Sequence, residues 1–158
     1  MTAEGAPTEQ DSPGRPPLYG VDTMVFVYHF EAHEEFGPAA GRLLQAAEEG
    51  RCHLVCSILT LLEILVVPKR NAQEDLCRRY REIFQSFPNL AVLDIDSEIA
   101  EIASDLRAAY SLRTPDAIHI ATAIRTGATA FISGDGRLNR VKELRIVRLE
   151  DLPPTAIF

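Results

Sequence analysis

The sequence predicts an α/β fold in three layers, with a mainly parallel central sheet of about five strands between two layers of helices. Short apolar segments typical of strands alternate with longer segments whose apolar residues recur at helical spacing. Such alternation favours a parallel sheet that is covered on both faces and joined by right-handed crossovers. A chain of 158 residues is long enough for one domain with its own core.

Five short apolar segments are predicted strands, most of them bounded by turn-forming residues. In chain order they are residues 18–22, 52–56, 90–95, 128–132 and 145–149. Two of them lead directly to a carboxylate, because Asp22 ends the first and Asp135 follows the fourth. If these two strands are neighbours, both acids point into the crevice at the carboxyl edge of the sheet.

Apolar residues at helical spacing predict helices between the strands. The predicted helices are 24–30, 37–50, 59–67, 72–87, one that begins at Asp96 or Ser97, 114–127, and a short turn at 138–144. Gly37-Pro38 opens the second helix because proline suits the first helical position, and Gly50 closes it. The third is apolar nearly all round, so it is expected to be buried, and it is expected to end before Pro68.

Glu63 lies in the middle of this apolar third helix. A buried carboxylate is costly unless it has a partner, a raised pKa or a metal ion. Two other interpretations remain open at this point. Glu63 lies on a narrow exposed edge of the helix, or it pairs with an arginine such as Arg70 or Arg78.

Thr114-Pro115-Asp116 begins the sixth helix. The hydroxyl of Thr114 can cap the helix, and Pro115 suits its first position. Asp116 then falls in the first turn, where the helix dipole already favours a carboxylate. Asp116 reaches the same crevice as Asp22 if the preceding loop lies along the carboxyl edge of the sheet.

The composition is that of a soluble globular protein, with 25% charged and 46% hydrophobic residues. Neither an apolar segment long enough to cross a membrane nor a secretory leader is present, so we expect a cytoplasmic location. Residues 1–17 are rich in proline and are predicted to form a disordered tail before a domain at 18–152. Residues 153–158 are predicted to form a C-terminal tail.

The cysteines, the histidines and the net charge limit which disulfides, zinc sites and nucleic-acid-binding surfaces the chain can form. Cys52, Cys56 and Cys77 have neither the even count of a disulfide framework nor the spacing of a zinc ribbon. His29 and His33 share a helix face but lack further ligands, which argues against a zinc site. The formal net charge of −7 excludes nucleic-acid binding by bulk positive charge alone. Either nucleic acid is not the partner, or the acids hold a cation locally.

Three or four carboxylates gathered in one crevice repel each other unless a cation neutralises them. Mg²⁺ prefers oxygen ligands, keeps several of its waters and works with phosphates. Held by such a cluster, it could activate water and stabilise the transition state at a phosphate. An acidic protein could therefore cut a polyanion.

Four motifs resemble, in order and spacing, the PIN-domain ribonucleases, in particular the VapC-type toxins of type II toxin–antitoxin systems. The motifs are Val21-Asp22-Thr23, Leu61-Leu62-Glu63-Ile64-Leu65 with Pro68, Thr114-Pro115-Asp116-Ala117-Ile118-His119-Ile120-Ala121-Thr122-Ala123, and Ser133-Gly134-Asp135. They span roughly residues 18–150, and the third is the most specific. This chain has Gly134 where relatives often carry Asn or another larger residue.

The resemblance implies a PIN-like fold and hydrolysis of RNA phosphodiester bonds by a metal-activated water. The implied ligands of Mg²⁺ or Mn²⁺ are Asp22, Glu63, Asp116 and Asp135. It also implies a homodimer that is inhibited by a small cognate antitoxin protein. Thr23 and Ser133 would orient the aspartates through hydrogen bonds.

Other polar residues near the implied site have more than one interpretation. His119 lies one turn after Asp116 and leans towards the same end of the helix. A structural role is favoured for it over that of a general base. Arg113, Arg137 and Arg140 flank the site and are expected either to hold RNA phosphates or to be solvated surface residues.

Three other functions fit part of the pattern. A receiver-like phosphoacceptor domain needs two adjacent acids early in the chain and a lysine after a late strand, and this sequence lacks both. A dehalogenase-like phosphatase needs a second acid two residues after Asp22, where Met24 stands. A catalytically silent PIN fold that binds RNA or protein remains the main alternative, and Mn²⁺ binding distinguishes it from a nuclease.

Overall fold

Five strands form one sheet in this computed structural model, which describes residues 14–153. The strands are β1 (Leu18–Val21), β2 (His53–Ser57), β3 (Leu90–Leu93), β4 (Ala130–Ser133) and β5 (Ile146–Arg148). Their order across the sheet is β3–β2–β1–β4–β5, and every pairing is parallel. The predicted α/β class with a parallel central sheet is confirmed, and β1 lies at its centre beside β4.

Helices within the same residues connect the strands and cover both faces of the sheet. They are α1 (Thr23–Phe30), α2 (Gly37–Glu48), α3 (Leu59–Arg70), α4 (Glu74–Ser86), α5 (Ser97–Tyr110) and α6 (Thr114–Arg125). Two short 3₁₀ helices, Gly136–Arg140 and Leu149–Asp151, follow β4 and β5. None of the helices between residues 14 and 153 has both the length and the apolar character needed to cross a bilayer.

Each face of the sheet has its own apolar core. The first core joins α1, α2 and the sheet through Tyr19, Phe26, Leu43, Leu44 and Leu54. The second joins α5, α6 and the sheet through Val55, Ile99, Leu106, Ile120 and Phe131. Helix α6 lies directly on β1, because a Cβ atom on Gly20 would run into the Cβ of Ala123. This close approach sets the position of α6 over the centre of the sheet.

The beginning of α5 agrees with its prediction, whereas the residue predicted to cap α6 does not do so. Asp96 caps α5, since its Oδ1 accepts a hydrogen bond from the Ile99 N–H over 2.8 Å. Thr114 does not cap α6, because it is already helical and the preceding Arg113 is the extended residue. The carbonyl of Arg113 accepts the first helical bond, from the Ala117 N–H at 3.0 Å. Thr114 therefore takes the first helical position, and Pro115 takes the second rather than the first that was predicted for it.

Helix α3 contradicts the prediction in two respects. It continues through Pro68 to Arg70, because a proline in the last turn costs only one helical bond and its carbonyl still accepts from the Gln73 N–H at 2.9 Å. The helix is also not buried all round, since Leu62 and Val66 are 61% and 42% exposed. The packed side of α3 contacts β2, α1, α4 and α6.

The two predicted tails fall largely outside the described residues. Of the N-terminal tail predicted at 1–17, residues 1–13 lie outside, and of the C-terminal tail predicted at 153–158, residues 154–158 do. All the strands and helices described above lie within the domain predicted at 18–152.

Candidate functional site

A pocket with a volume of about 530 Å³ lies at the carboxyl ends of β1 and β4. The register pairs Val21 of β1 with Ile132 of β4, so the residues that follow the two strands lie at the same edge of the sheet. The residues that line the pocket include all four predicted acids, Asp22, Glu63, Asp116 and Asp135. Four carboxylates from four separate segments of the chain therefore share one pocket.

Asp22, the first residue beyond β1, is held by hydrogen bonds on both carboxylate oxygens. Oδ1 accepts from the Thr23 N–H and Oδ2 from the Ser133 hydroxyl, each over 2.8 Å. Its own N–H donates to the Ile132 carbonyl at 3.0 Å and so extends the β1–β4 pairing. Burial raises the pKa of Asp22, and the negative charge of Asp116 adds to this rise. A fixed carboxylate that is poorly solvated gains from a nearby cation.

Glu63 interacts with side chains of α1 and α6. The Thr23 hydroxyl donates to Glu63 Oε1 over 2.9 Å, and His119 Nε2 lies 2.5 Å from the same oxygen. The hydrogen bond with His119 lowers the pKa of Glu63. These are its partners among the described residues, so the suggested pairing with Arg70 or Arg78 is wrong. The Glu63 side chain is 35% exposed and reaches the pocket.

His119 is a buried residue, with 2% of its side chain exposed. Its Nε2 contacts Glu63 and lies 3.3 Å from the Thr23 hydroxyl. Its Nδ1 has no hydrogen-bond partner within the described part of the chain. Because a carboxylate oxygen can only accept, Nε2 is the ring nitrogen that donates to Glu63. The imidazole orients Glu63, which agrees with the structural role predicted for His119.

Arginines hold the other two acids. Arg113 Nε lies 3.0 Å from Asp116 Oδ2. Arg137 binds both oxygens of Asp135, with Nε 3.0 Å from Oδ1 and Nη2 2.8 Å from Oδ2. Hydrogen bonds from Arg137 lower the pKa of Asp135. Arg140, the third arginine of the predicted RNA contacts, is exposed and is not among the described residues that line the pocket.

The pocket also contains residues of α1 that the sequence argument did not select. Met24, Val27 and Tyr28 line it. Val27 and Tyr28 lie three and four residues after Met24, and this shared helix face is the signal that could have identified them. A Cβ atom on Gly134 would lie 3.2 Å from Cε2 of Tyr28. The Tyr28 ring therefore fills the space that a larger residue would need at the position before the fourth acid.

The chemistry of the donors fits a hard divalent cation such as Mg²⁺ or Mn²⁺, because they are carboxylate and hydroxyl oxygens. Within residues 14–153, no three His, Cys, Asp or Glu side chains already form a group that could hold a metal ion. Two guanidinium groups hold Asp116 and Asp135 instead. Four carboxylates against two guanidinium groups leave an excess of negative charge, which a divalent cation would neutralise.

Comparisons with known proteins identify the kind of fold. A sequence model of the PIN domain matches residues 19–144, and no curated protein matches the sequence. A toxin–antitoxin complex from Klebsiella pneumoniae has 24% identity and a TM-score of 0.62, over 84% of this chain and 97% of that chain. VapBC2 from Rickettsia felis, bound to a DNA fragment from its promoter, has 16% identity and a TM-score of 0.67, over 83% and 98%. VapC20 of Mycobacterium tuberculosis, a toxin that cleaves the sarcin–ricin loop, has 18% identity and a TM-score of 0.61, over 81% and 98%.

Proposed function

Since the chain belongs to the PIN domain family, we propose that it is an endoribonuclease that hydrolyses RNA phosphodiester bonds with Mg²⁺ or Mn²⁺. The observation that carries this proposal is the meeting of four carboxylates, from four separate segments, in one pocket. The proposed ligands of the cation are Asp22, Glu63, Asp116 and Asp135. Together they offer only oxygen donors, which is the preference of both cations.

The groups that hold Asp22 and Glu63 support this role. Ser133 and the Thr23 N–H fix both oxygens of Asp22, while the Thr23 hydroxyl and His119 fix one oxygen of Glu63. Such outer hydrogen bonds keep ligand carboxylates oriented. A bound divalent cation would supply a water of lowered pKa and neutralise charge on the phosphate.

The proposed substrate is RNA with an accessible single-stranded loop. Arg113 and Arg137 are exposed guanidinium groups beside the pocket, and guanidinium groups bind phosphate oxygens well. Unpaired loops expose bases and backbone that a paired helix hides. The likeness to VapC20, named as a toxin that cleaves the sarcin–ricin loop, supports a folded RNA with such a loop.

Removal of the cation tests the proposed activity. We expect the purified protein to cleave a loop-containing RNA with Mg²⁺ or Mn²⁺, to stop when excess chelator is added, and to resume when the cation is restored. The double variant Asp22→Asn/Asp116→Asn should retain its circular dichroism spectrum and not cleave. Full cleavage by the double variant would overturn the site assignment. If the wild type does not bind Mn²⁺ in calorimetry, the result would favour the alternative function, a catalytically silent PIN fold that binds RNA or protein.

The proposed partner is a small antitoxin protein, which makes this chain the toxin of a pair. Several structures with the same fold are toxin–antitoxin complexes, two of them bound to DNA. A short reading frame beside the gene, encoding a small DNA-binding protein that co-purifies with this chain, is the observation that tests the partnership. Its absence would leave the proposed nuclease activity unaffected and remove the proposed toxin role.

The proposed assembly is a homodimer, supported by the exposed apolar side of α3. Leu62, Val66 and Val67 are 61%, 42% and 55% exposed, and apolar residues grouped in this way are typical of interaction surfaces. We expect light scattering to give twice the chain mass of 17.5 kDa for the wild type and the monomer mass for Leu62→Glu. Arg79→Glu on α4 is the control and should remain dimeric. A dimeric Leu62→Glu variant would contradict the use of this surface.

A further inference from the structure

Two ion pairs stand beside the pocket, Arg113 with Asp116 and Arg137 with Asp135. The carboxylate side chains are only 14% and 24% exposed, whereas the guanidinium side chains are 68% and 75% exposed. Asp116 lies in the first turn of α6, and Asp135 caps a 3₁₀ helix with a hydrogen bond from the Arg137 N–H. Each pair therefore joins an acid held by the fold to an arginine at the surface.

Asp22 and Glu63 are held in a different way. Their partners are the Thr23 and Ser133 hydroxyls, the Thr23 N–H and the His119 ring. No lysine or arginine of the described chain forms an ion pair with either of them. Among the described residues, arginine therefore pairs with only two of the four acids, Asp116 and Asp135.

We propose that Arg113 and Arg137 are internal counter-cations that a divalent cation displaces from Asp116 and Asp135, and that the released guanidinium groups then bind RNA phosphates. This inference rests on the proposed function, because it concerns the same pocket. It assigns a positioning role to the two arginines, which regulate when the acids and the phosphate-binding groups are available.

The exchange requires little energy because both guanidinium groups are largely exposed, and an ion pair with a solvated partner contributes little to stability. A divalent cation brings two charges to the same carboxylates, so it competes well with one guanidinium group. The guanidinium fork matches a phosphate as well as it matches a carboxylate. The geometry with which Arg137 holds both oxygens of Asp135 is therefore also suited to a phosphate of the RNA backbone.

Binding of the cation and binding of RNA are then positively coupled. Without the cation, the two arginines neutralise their own acids and offer less charge to RNA. With the cation in place, the same guanidinium groups face the solvent beside the pocket. By linkage, RNA must raise the affinity for the cation by the factor by which the cation raises the affinity for RNA.

Calorimetric titration of the whole chain with Mn²⁺ tests the displacement. Arg113→Gln and Arg137→Gln should each bind Mn²⁺ about two- to five-fold more tightly than the wild type, because each removes a competing charge. Arg137→Lys keeps the charge but loses the fork, so its affinity should lie between those of Arg137→Gln and the wild type. Arg140→Gln is the matched control and should bind Mn²⁺ as the wild type does. It removes an exposed arginine that, unlike Arg113 and Arg137, forms no ion pair with Asp116 or Asp135.

A second experiment tests whether the released guanidinium groups bind RNA. It measures fluorescence anisotropy of a labelled phosphorothioate oligoribonucleotide, which a gel shows to stay intact. Mn²⁺ should raise the affinity of the wild type and of Arg140→Gln for this probe. In the double variant Arg113→Gln/Arg137→Gln the increase should be smaller, and the affinity with Mn²⁺ should be lower than that of the wild type. Circular dichroism of each variant checks that the fold is retained.

The results separate this inference from the proposed function. Tighter Mn²⁺ binding by the two glutamine variants, together with weaker Mn²⁺-dependent RNA binding, supports it. Wild-type protein that binds Mn²⁺ and cleaves RNA, with variants whose Mn²⁺ affinity is unchanged or weaker, overturns the counter-cation role and leaves the nuclease intact. Wild-type protein that binds no Mn²⁺ overturns both.

Discussion

Asp22→Asn is expected to lower the rate of RNA cleavage by about 100-fold or more, as the loss of one electrostatic group at a reaction centre commonly does. The substitution keeps the size of the side chain and its Oδ1, which accepts from the Thr23 N–H in the wild type. It removes a negative charge from the proposed cation site and replaces Oδ2, the acceptor from Ser133, by a nitrogen that cannot bind a cation. Initial cleavage rates at saturating Mg²⁺ give the measurement.

The same variant is expected to be at least as stable as the wild type at pH 7. Burial raises the pKa of Asp22, so the fold disfavours its ionised form. The stability that such a group contributes is present at low pH and is lost as the pH rises through its folded pKa. Asparagine does not ionise, so the urea midpoint should equal or exceed that of the wild type.

An exposed acid serves as the control for this prediction. Asp94 follows β3 and is exposed, so Asp94→Asn should change neither the cleavage rate nor the urea midpoint. Full activity in Asp22→Asn, or a loss of its fold, would contradict the role given to this carboxylate.

Gly20→Ala is expected to lower the free energy of unfolding by about 2–3 kcal/mol, the upper part of the range that overpacking a core costs. Gly20 lies in the middle of the central strand, paired with Val55 on one side and Phe131 on the other. A methyl group there would run into the Cβ of Ala123 and lie 2.9 Å from a ring carbon of Phe131. Either α6 must move away from the sheet or β1 must bend, and urea denaturation at constant slope measures the cost.

Gly136→Ala separates this packing effect from the general effect of replacing a glycine. Its added Cβ would lie 3.6 Å from the Arg148 side chain, which is an ordinary contact with a flexible group. The unfolding free energy should therefore change by less than about 0.5 kcal/mol. Equal losses in Gly20→Ala and Gly136→Ala would contradict the close approach of α6 to β1.

Elements with local signals were predictable from the sequence. Residues 18–21 are apolar and end at Asp22, so a strand followed by an acid could be expected before its neighbours were known. Asp96 caps α5 through its own side chain, a bond between residues three positions apart. The alternation of such elements was enough to predict the parallel sheet, because few topologies fit it.

Features that depend on what packs against an element could not be predicted in this way. The composition of α3 suggested burial on all sides, yet Leu62 is 61% exposed, since no other part of the described chain covers that side. Pro68 is tolerated because it lies in the last turn of α3, and the sequence alone does not show whether a proline ends a helix or falls in its last turn.

The hydrogen-bond partners of the four acids could not be predicted from the sequence either. The contact of His119 with Glu63 joins residues 56 positions apart, and spacing alone does not select one partner at that distance. The sequence suggested Arg70 or Arg78 as partners of Glu63 instead. In the structure, Arg78 pairs with Asp75 on its own helix. The four acids could be predicted as a set because their motifs resemble those of the PIN-domain family. Their individual hydrogen bonds could not be predicted.

The central position of β1 has a consequence for synthesis of the chain. Asp22 is made early, yet the Ser133 hydroxyl that fixes its Oδ2 lies 111 residues later. At about 5–20 residues per second, a ribosome needs roughly 6–20 s to make the intervening chain. During that time the nascent polypeptide has neither its fourth strand nor its fourth acid, and so the complete pocket cannot form before both have been synthesised. The acidic site therefore forms only after Asp135 has been added to the chain.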